Sequence, residues 1–447
     1  MAQINIVQLK EAFEEDRLDP EFYRGIMPEN KRLTYKKIAD ILNFIQYGIS
    51  IDMNEEGEGY KIYRMNEIED MFCSDEVSKF AKISEKEMKT FVLKNNDILF
   101  NRTNSFEFVG RTGIFKKFSE EPYIFASYLV RLRTNEEEIL PEYLTAFLNC
   151  KYGIAEIRRR ARISINQSNV SASELKKIKI PLATLKFQEK IRELFNKSFS
   201  NFMKSKKLYK ETEKILLEEI GFLDYNLKNS ISFEAKFKDL PNSKRIDAEY
   251  FQPRYRKIIK KIEDYNGGSD IVGNVLTIKD QNFIPKKDIT YKYIELSNVA
   301  GNGWINDFMT EMGNNLPTRA RRLISKGDII ISSIEGSLSS CALITQDLDN
   351  SICSSGFYAI NSKVINPETL LVLFKSSFMQ ELLKKGCSGT ILTAIGKDEF
   401  NKIRIPLVKR EIQEKIAEKI KEAFRLRKEA KALLEEAKEK VEEFILN

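Results

Sequence analysis

No histidine occurs anywhere in the 447 residues. Without imidazole there can be no Ser-His-Asp triad, no Cys-His pair, no H-E-x-x-H zinc site and no histidine proton relay. Carboxylate and lysine chemistry survive that exclusion. Cysteine is sparse as well: Cys73, Cys150, Cys341, Cys353 and Cys387 form no C-x-x-C pair and read as buried, reduced thiols rather than a metal or disulfide framework. The single tryptophan, Trp304, reads more readily as part of a core than as a base-stacking platform. No run approaches the ~18 apolar residues that a membrane span needs. The start, Met1 to Lys10, lacks the apolar stretch of a signal peptide, so the chain is expected in the cytoplasm.

What is present is a folded composition, 42% hydrophobic and 31% charged, with room for two or three cores. A formal charge of +7 permits a polyanionic partner without demanding one.

The most informative feature is repetition. "KKIKIPLATLKFQEKI", from Lys176 to Ile191, and "NKIRIPLVKREIQEKI", from Asn401 to Ile416, share 9 of 16 positions. "RLDPEFYRG" at Arg17 recurs as "RIDAEYFQP" at Arg245, "NNDILFNRTNS" at Asn95 as "KGDIIISSIEG" at Lys326, and "PEYLTAFLNCKYG" at Pro141 as "PETLLVLFKSSFM" at Pro367. All pairs keep their order and nearly their spacing, so the chain is one unit written twice.

Within a unit, Asp97–Phe100 and Asp328–Ser332 read as short buried strands. "YIFASYLVRLR" (123–133) ends in alternation that puts Tyr128, Val130 and Leu132 on one face. Pro141 and Pro367 suit the first turn of a helix, and Gly386 suits a helix stop. Each unit closes on a long Lys/Glu-rich helix with an apolar seam. The seam residues expected to pair are Ile191, Phe195, Phe202 and Ile215 in the first helix, and Ile416, Ile420, Phe424, Leu434 and Val441 in the second. Thr184 can cap the first helix, whereas Lys409 is a poor cap for the second. Two such stripes can cover each other by antiparallel packing. The expected fold class is therefore mixed α/β: two globular domains separated by two long antiparallel, coiled-coil-like helices, with a pseudo-twofold internal repeat. The expected boundaries are 1–184 for the first domain, 185–222 for its helix, 223–244 for a linker, 245–408 for the second domain and 409–447 for the second helix.

The duplicated "KIKIPL…FQEKI" and "KIRIPL…IQEKI" junctions, with "RIDAEYF" and "GDIIIS", resemble the specificity subunits of type I restriction–modification systems over essentially the whole chain. The resemblance implies two target-recognition domains, each reading half of a bipartite sequence in double-stranded DNA. It implies long helices that space the domains and carry two methyltransferase subunits, with restriction/translocase subunits in the full complex. It also implies no catalysis, cofactor or metal in the chain itself. A helix of some 34 residues measures roughly 50 Å, about one to one and a half turns of B-DNA, so the target is expected to be gapped. Because the two domains have diverged beyond their junctions, its halves are expected to be non-identical.

Phosphate contact calls for Lys and Arg, and base reading for Arg, Asn, Gln, Ser or Thr. The candidates in the first unit are Arg102, Thr103, Asn104 and Arg111, with Arg158, Arg159, Arg160, Arg162, Asn166 and Gln167. In the second they are Arg319, Arg321 and Arg322, Ser333 (which stands where the first unit has Arg102), and Lys384, Lys385, Ser388 and Thr390. "GTILTAIGKD" is no phosphate loop, because six residues separate its glycines and Asp398 replaces the Ser or Thr. Two other readings compete: a metal-dependent nuclease built on Asp97 or Asp328, and a coiled-coil organiser that binds no nucleic acid.

Overall fold

The computed structural model describes residues 12–13, 15, 17–19, 22–23, 30–117, 119–165, 167–223, 225, 231–234, 245–389 and 393–447. Most of the 223–244 linker, along with Asn166 and Thr390, lies outside these residues. The chain forms two compact units: Met1–Asn201 with Lys428–Asn447 (unit 1), and Phe202–Arg427 (unit 2). Each unit contains part of both long helices, Leu185–Ile220 and Arg410–Leu446.

The two units repeat one topology. In unit 1, strand Leu42–Tyr47 pairs with Leu129–Thr134, which pairs with Ile98–Asn101, which pairs with Thr112–Ile114. In unit 2, Leu276–Lys279, Phe357–Ser362, Ile329–Ser332 and Cys341–Leu343 follow the same order. A second sheet in each contains a parallel pair, Tyr60–Tyr63 with Tyr123–Phe125 and Thr290–Ile294 with Ile352–Ser354. Helices starting at Pro141 and Pro367 are each followed by a second helix, Lys151–Arg160 and Ser377–Gly386.

The expected central strands are present, one residue further on, because Asp97 and Asp328 close the turns that precede them. Asn96 and Gly327 adopt left-handed backbone (φ 69° and 86°). The following carboxylate then accepts the amide of Lys94 or Ser325, each at 2.8 Å. The stretch 123–133 differs from expectation. It is two strands, with the half-exposed Tyr128 in the turn between them, and Arg131 is buried rather than facing solvent. The Arg131 guanidinium lies between the rings of Phe44 and Phe125 and donates to Gln46 and to the carbonyls of Val92 and Thr90. All five cysteines are buried and unpaired, and burial pushes the Cys150 and Cys387 thiols up to about 11.

The repeated strand–proline–helix is a joint. Lys179–Pro181 pairs antiparallel with Tyr35–Lys37, and Arg404–Pro406 pairs identically with Ser269–Ile271. Each proline sits where the ladder uses no N–H, and the amides of Leu182 and Leu407 just beyond it donate to the carbonyls of Thr34 (2.8 Å) and Gly268 (2.9 Å). One turn into each long helix lies a buried glutamine. Gln188 accepts the Leu140 amide (2.7 Å) and donates to the carbonyls of Glu138 (3.0 Å) and Ala183 (2.9 Å). Gln413 accepts the Asn366 amide (2.7 Å) and donates to Val364 (3.1 Å) and Val408 (2.8 Å).

Within unit 1 the long helices run antiparallel, with Phe187 against Phe444 and Ser198 Oγ donating to the Ala430 carbonyl (2.9 Å). Within unit 2 they do the same, with Ser205 Oγ donating to Ala423 (2.7 Å) and Lys419 paired with Glu211. The seam positions Ile191, Phe195, Ile416, Ile420, Phe424, Leu434 and Val441 are buried, while Phe202 and Ile215 are partly so. The small residues Ser198, Ser205, Ala423 and Ala430 are buried where the helices meet. Each unit also presses an aromatic onto its helices: Phe72 against Phe195 and Phe199, and Trp304 edge-on to Phe424 at 5.1 Å.

Ala430 is fully buried and Ala432 is exposed on the same helix. Ala430→Leu is expected to cost about 1–3 kcal/mol by overpacking the seam, while Ala432→Leu stays within about 0.5 kcal/mol. Urea titrations followed by circular dichroism check this, and equal losses would contradict close packing.

Candidate nucleic-acid interface

The structure brings the two basic stretches of unit 1 onto one small sheet. Arg162–Ser164 forms a hairpin with Gln167–Asn169, and the latter strand pairs with Thr103–Asn104. Asn169 is the tie: its side-chain amide donates to Thr103 Oγ1 (2.6 Å), and its oxygen faces an Arg102 guanidinium nitrogen at 3.4 Å. The Arg102 guanidinium also lies 4.7 Å from the centre of the Tyr47 ring. The Tyr47 hydroxyl in turn accepts the Ala172 amide.

Aromatic rings carry further arginines on this surface. Arg158 lies over Phe106 (5.7 Å) and Arg111 over Phe108 (4.2 Å), all four at least partly exposed. A guanidinium laid on a ring loses little freedom on binding and keeps its donors available, which suits both phosphate and base-edge contact.

The four arginines at 158–162 do not share one environment. Arg158 and Arg162 are exposed. Arg159 pairs with Glu156 and covers the Phe22 ring at 4.4 Å. Arg160 is buried and held by Glu15 (2.7 and 2.9 Å) and Glu174 (3.4 Å). Burial works against its charge, yet these carboxylates hold it above the ordinary arginine range. Arg160 thus has a structural explanation and leaves the set of candidate DNA contacts.

Unit 2 arranges its candidates differently. Arg319 and Arg321 are exposed, the latter donating to the Thr318 carbonyl. Arg322 is anchored to Asn282 (2.6 Å) and to the Asp280 carbonyl (2.8 Å). Ser333 donates to the Gly356 carbonyl, so its hydroxyl is already engaged. Lys384 and Ser388 are exposed at the end of helix Ser377–Gly386 and the short strand after it. Lys385 instead covers the Tyr250 ring at 3.4 Å, and desolvation, aided by Arg245 and Lys402, pulls its ammonium down to about 8 despite the carboxylate of Glu399. Asn166 and Thr390 lie outside the described residues.

The "RLDPEF" and "RIDAEY" repeats belong to this neighbourhood. Arg17 pairs with Asp19 and covers Phe22, and Arg245 pairs with Asp247 and covers Tyr250. Arg159 and Lys385 then stack on those same rings. Reading the sequence alone missed Tyr47, Asn169, Phe106 and Phe108. The phenylalanines had a local signal, two apolar residues in the polar stretch "NSFEF", whereas Asn169 acquires its role only when the hairpin folds back.

Asp97 and Asp328, the residues on which a nuclease reading depends, are buried and committed. Asp97 is bound by both arms of the Arg133 guanidinium (2.7 and 2.9 Å). Asp328 is bound by Lys279 (2.6 Å) and Asn361 (3.1 Å).

Comparison with known proteins gives a consistent result. The profile of the type I restriction modification DNA specificity domain matches residues 30–215 and again 233–439. A provisionally named type I restriction enzyme MjaX specificity subunit from Methanocaldococcus jannaschii is 23% identical over 433 residues, covering 94% of each chain. The type I restriction enzyme EcoKI specificity subunit of Escherichia coli K12 is 27% identical over 172 residues, 38% of this chain and 37% of that one. Among solved structures, a type I restriction–modification S subunit from M. genitalium aligns over 93% of this chain and 98% of its own, with a TM-score of 0.43 and 14% identity.

Two arginines two positions apart now have opposite expectations. Arg158→Ala should weaken binding to mixed-sequence duplex DNA and lower the salt slope by about one counterion, leaving stability unchanged. Arg160→Ala should destabilise unit 1, because it strands buried carboxylate, without lowering the salt slope of the folded fraction. Filter binding across a salt series, beside thermal melts, separates the two. A salt-slope change confined to Arg160→Ala would contradict the assignment.

Proposed function

The chain belongs to the type I restriction–modification DNA specificity family, and on that footing we propose that it reads a bipartite, gapped target in double-stranded DNA, one half per unit. The observation that carries this is one central four-strand order written twice, with the joint to the long helix kept and the cationic surface changed. Unit 1 offers ring-supported Arg102, Arg111 and Arg158, with Arg162, Thr103, Asn104 and Gln167 beside them. Unit 2 offers Arg319, Arg321, Arg322, Lys384 and Ser388, and no arginine where Arg102 stands. Two surfaces built from different side chains read different bases, so the half-sites are non-identical.

The long helices, 36 and 37 residues, set the gap and present their charged outer faces to two methyltransferase subunits. Restriction/translocase subunits join the full cytoplasmic complex. The subunit supplies address rather than chemistry. Committed Asp97 and Asp328 carboxylates favour this over the nuclease reading, and the Arg–aromatic surface favours it over a helical organiser that binds no nucleic acid.

Methylation mapping of the host genome, with and without this gene, tests the proposal. The expected result is loss of one gapped, asymmetric motif on deletion. A continuous motif, a strict palindrome or no change would overturn it.

A further inference from the structure

The hairpin that carries Arg162 and Gln167 exposes two isoleucines as well. Ile163 is 68% exposed and Ile165 is 91% exposed, on a hairpin whose exposed neighbours Arg162, Ser164 and Gln167 are all polar. Ile163 stands opposite Ser168 in the ladder, and Ile165 follows Ser164 at the turn. The base of the hairpin is well held. Gln167–Asn169 pairs with Thr103–Asn104, the Val170 amide donates to the Arg102 carbonyl, and Asn169 bonds Thr103.

From this geometry we infer that Ile163 and Ile165 form an apolar wedge that enters duplex DNA between two stacked base pairs of the half-site read by unit 1. This rests on the DNA-reading function proposed above. The argument for the occupant is charge. Arg162 adjoins Ile163, Arg158 lies in the last turn of the helix that leads into the hairpin, and Arg102 is tied to its inner strand through Asn169. A hydrophobic groove on a protein partner would have to take in these cations with the isoleucines. Duplex DNA offers the matching arrangement, a polyanionic exterior around a stack of apolar faces. Inserting an aliphatic side chain at a base step unstacks it, and the larger surface that a bent duplex lays against the protein offsets that cost. The wedge would give unit 1 sensitivity to how easily a step opens, at positions where no hydrogen bond reads the base.

The test uses the full chain in complex with its methyltransferase subunits and a short duplex carrying the mapped host site. 2-Aminopurine replaces one adenine at a time across both half-sites, leaving out the adenines that are methylated, which the methyltransferase itself takes out of the stack. Fluorescence should rise severalfold on binding at one step in one half-site. The double variant Ile163→Ser/Ile165→Ser should still bind with an unchanged salt slope but lose that rise, and Ile165→Leu should keep it. A rise that persists in the serine variant, or wild-type binding with no responsive position, overturns the wedge while leaving DNA recognition standing. Loss of methyltransferase assembly by the serine variant with fluorescence intact overturns it too, placing the tip on protein. If the wild-type complex fails to retain the duplex at all, the DNA-reading function itself falls, and the wedge with it.

Discussion

Each unit depends on one buried side-chain amide. A glutamine amide has an acceptor and two N–H donors, and in both copies the joint uses all of them: one backbone amide bonded and two carbonyls satisfied. The amide belongs to the residue just before a proline-initiated helix, and the carbonyls belong to the loop leading into that helix and to the segment just after the joint's proline. Three stretches of chain thereby meet at the first turn of the long helix. A leucine of similar size would leave those backbone groups buried and unbonded, at about 1–3 kcal/mol for each. Hydrophobic burial holds the helix against its neighbours, but it is non-directional. The amide fixes where the helix starts and which way it leaves.

That division explains what the repeat keeps and what it lets go. The joint, the Asp-closed turn, the central strands and the Arg–Asp–aromatic motif near the start of each copy recur with the same bonds. The surfaces around them do not. Arg102 on Tyr47 has a serine as its counterpart in unit 2, and the ring corresponding to Phe22 is covered by a lysine whose charge is weakened by burial. Structure is duplicated and chemistry is diversified, as the proposed reading of two unlike half-sites would require.

Much of this was legible in the sequence because the repeat and the helical seam are local, periodic signals. The strand after Asp97, the helices after Pro141 and Pro367 and the buried seam isoleucines follow from spacing alone. Other features depend on residues brought together from far apart. Arg131 reads as the polar side of an alternating strand until two phenylalanines enclose it. Arg160 looks equivalent to Arg158 until Glu15 and Glu174 arrive from elsewhere in the chain. Ser198 and Ser205 interrupt the apolar pattern, yet both are buried in the seam, where a hydroxyl bonded to a carbonyl of the facing helix stands in place of a large hydrophobe.

Amide hydrogen exchange at Leu140 and Asn366 tests the central role of the glutamines most directly, since their N–H groups donate straight to Gln188 and Gln413. Replacing each glutamine by methionine, of similar length and lacking the hydrogen bonds, should collapse protection at the corresponding amide and at the first turn of the adjoining long helix. Protection that survives in both variants would show that packing alone holds the joints and would contradict the account.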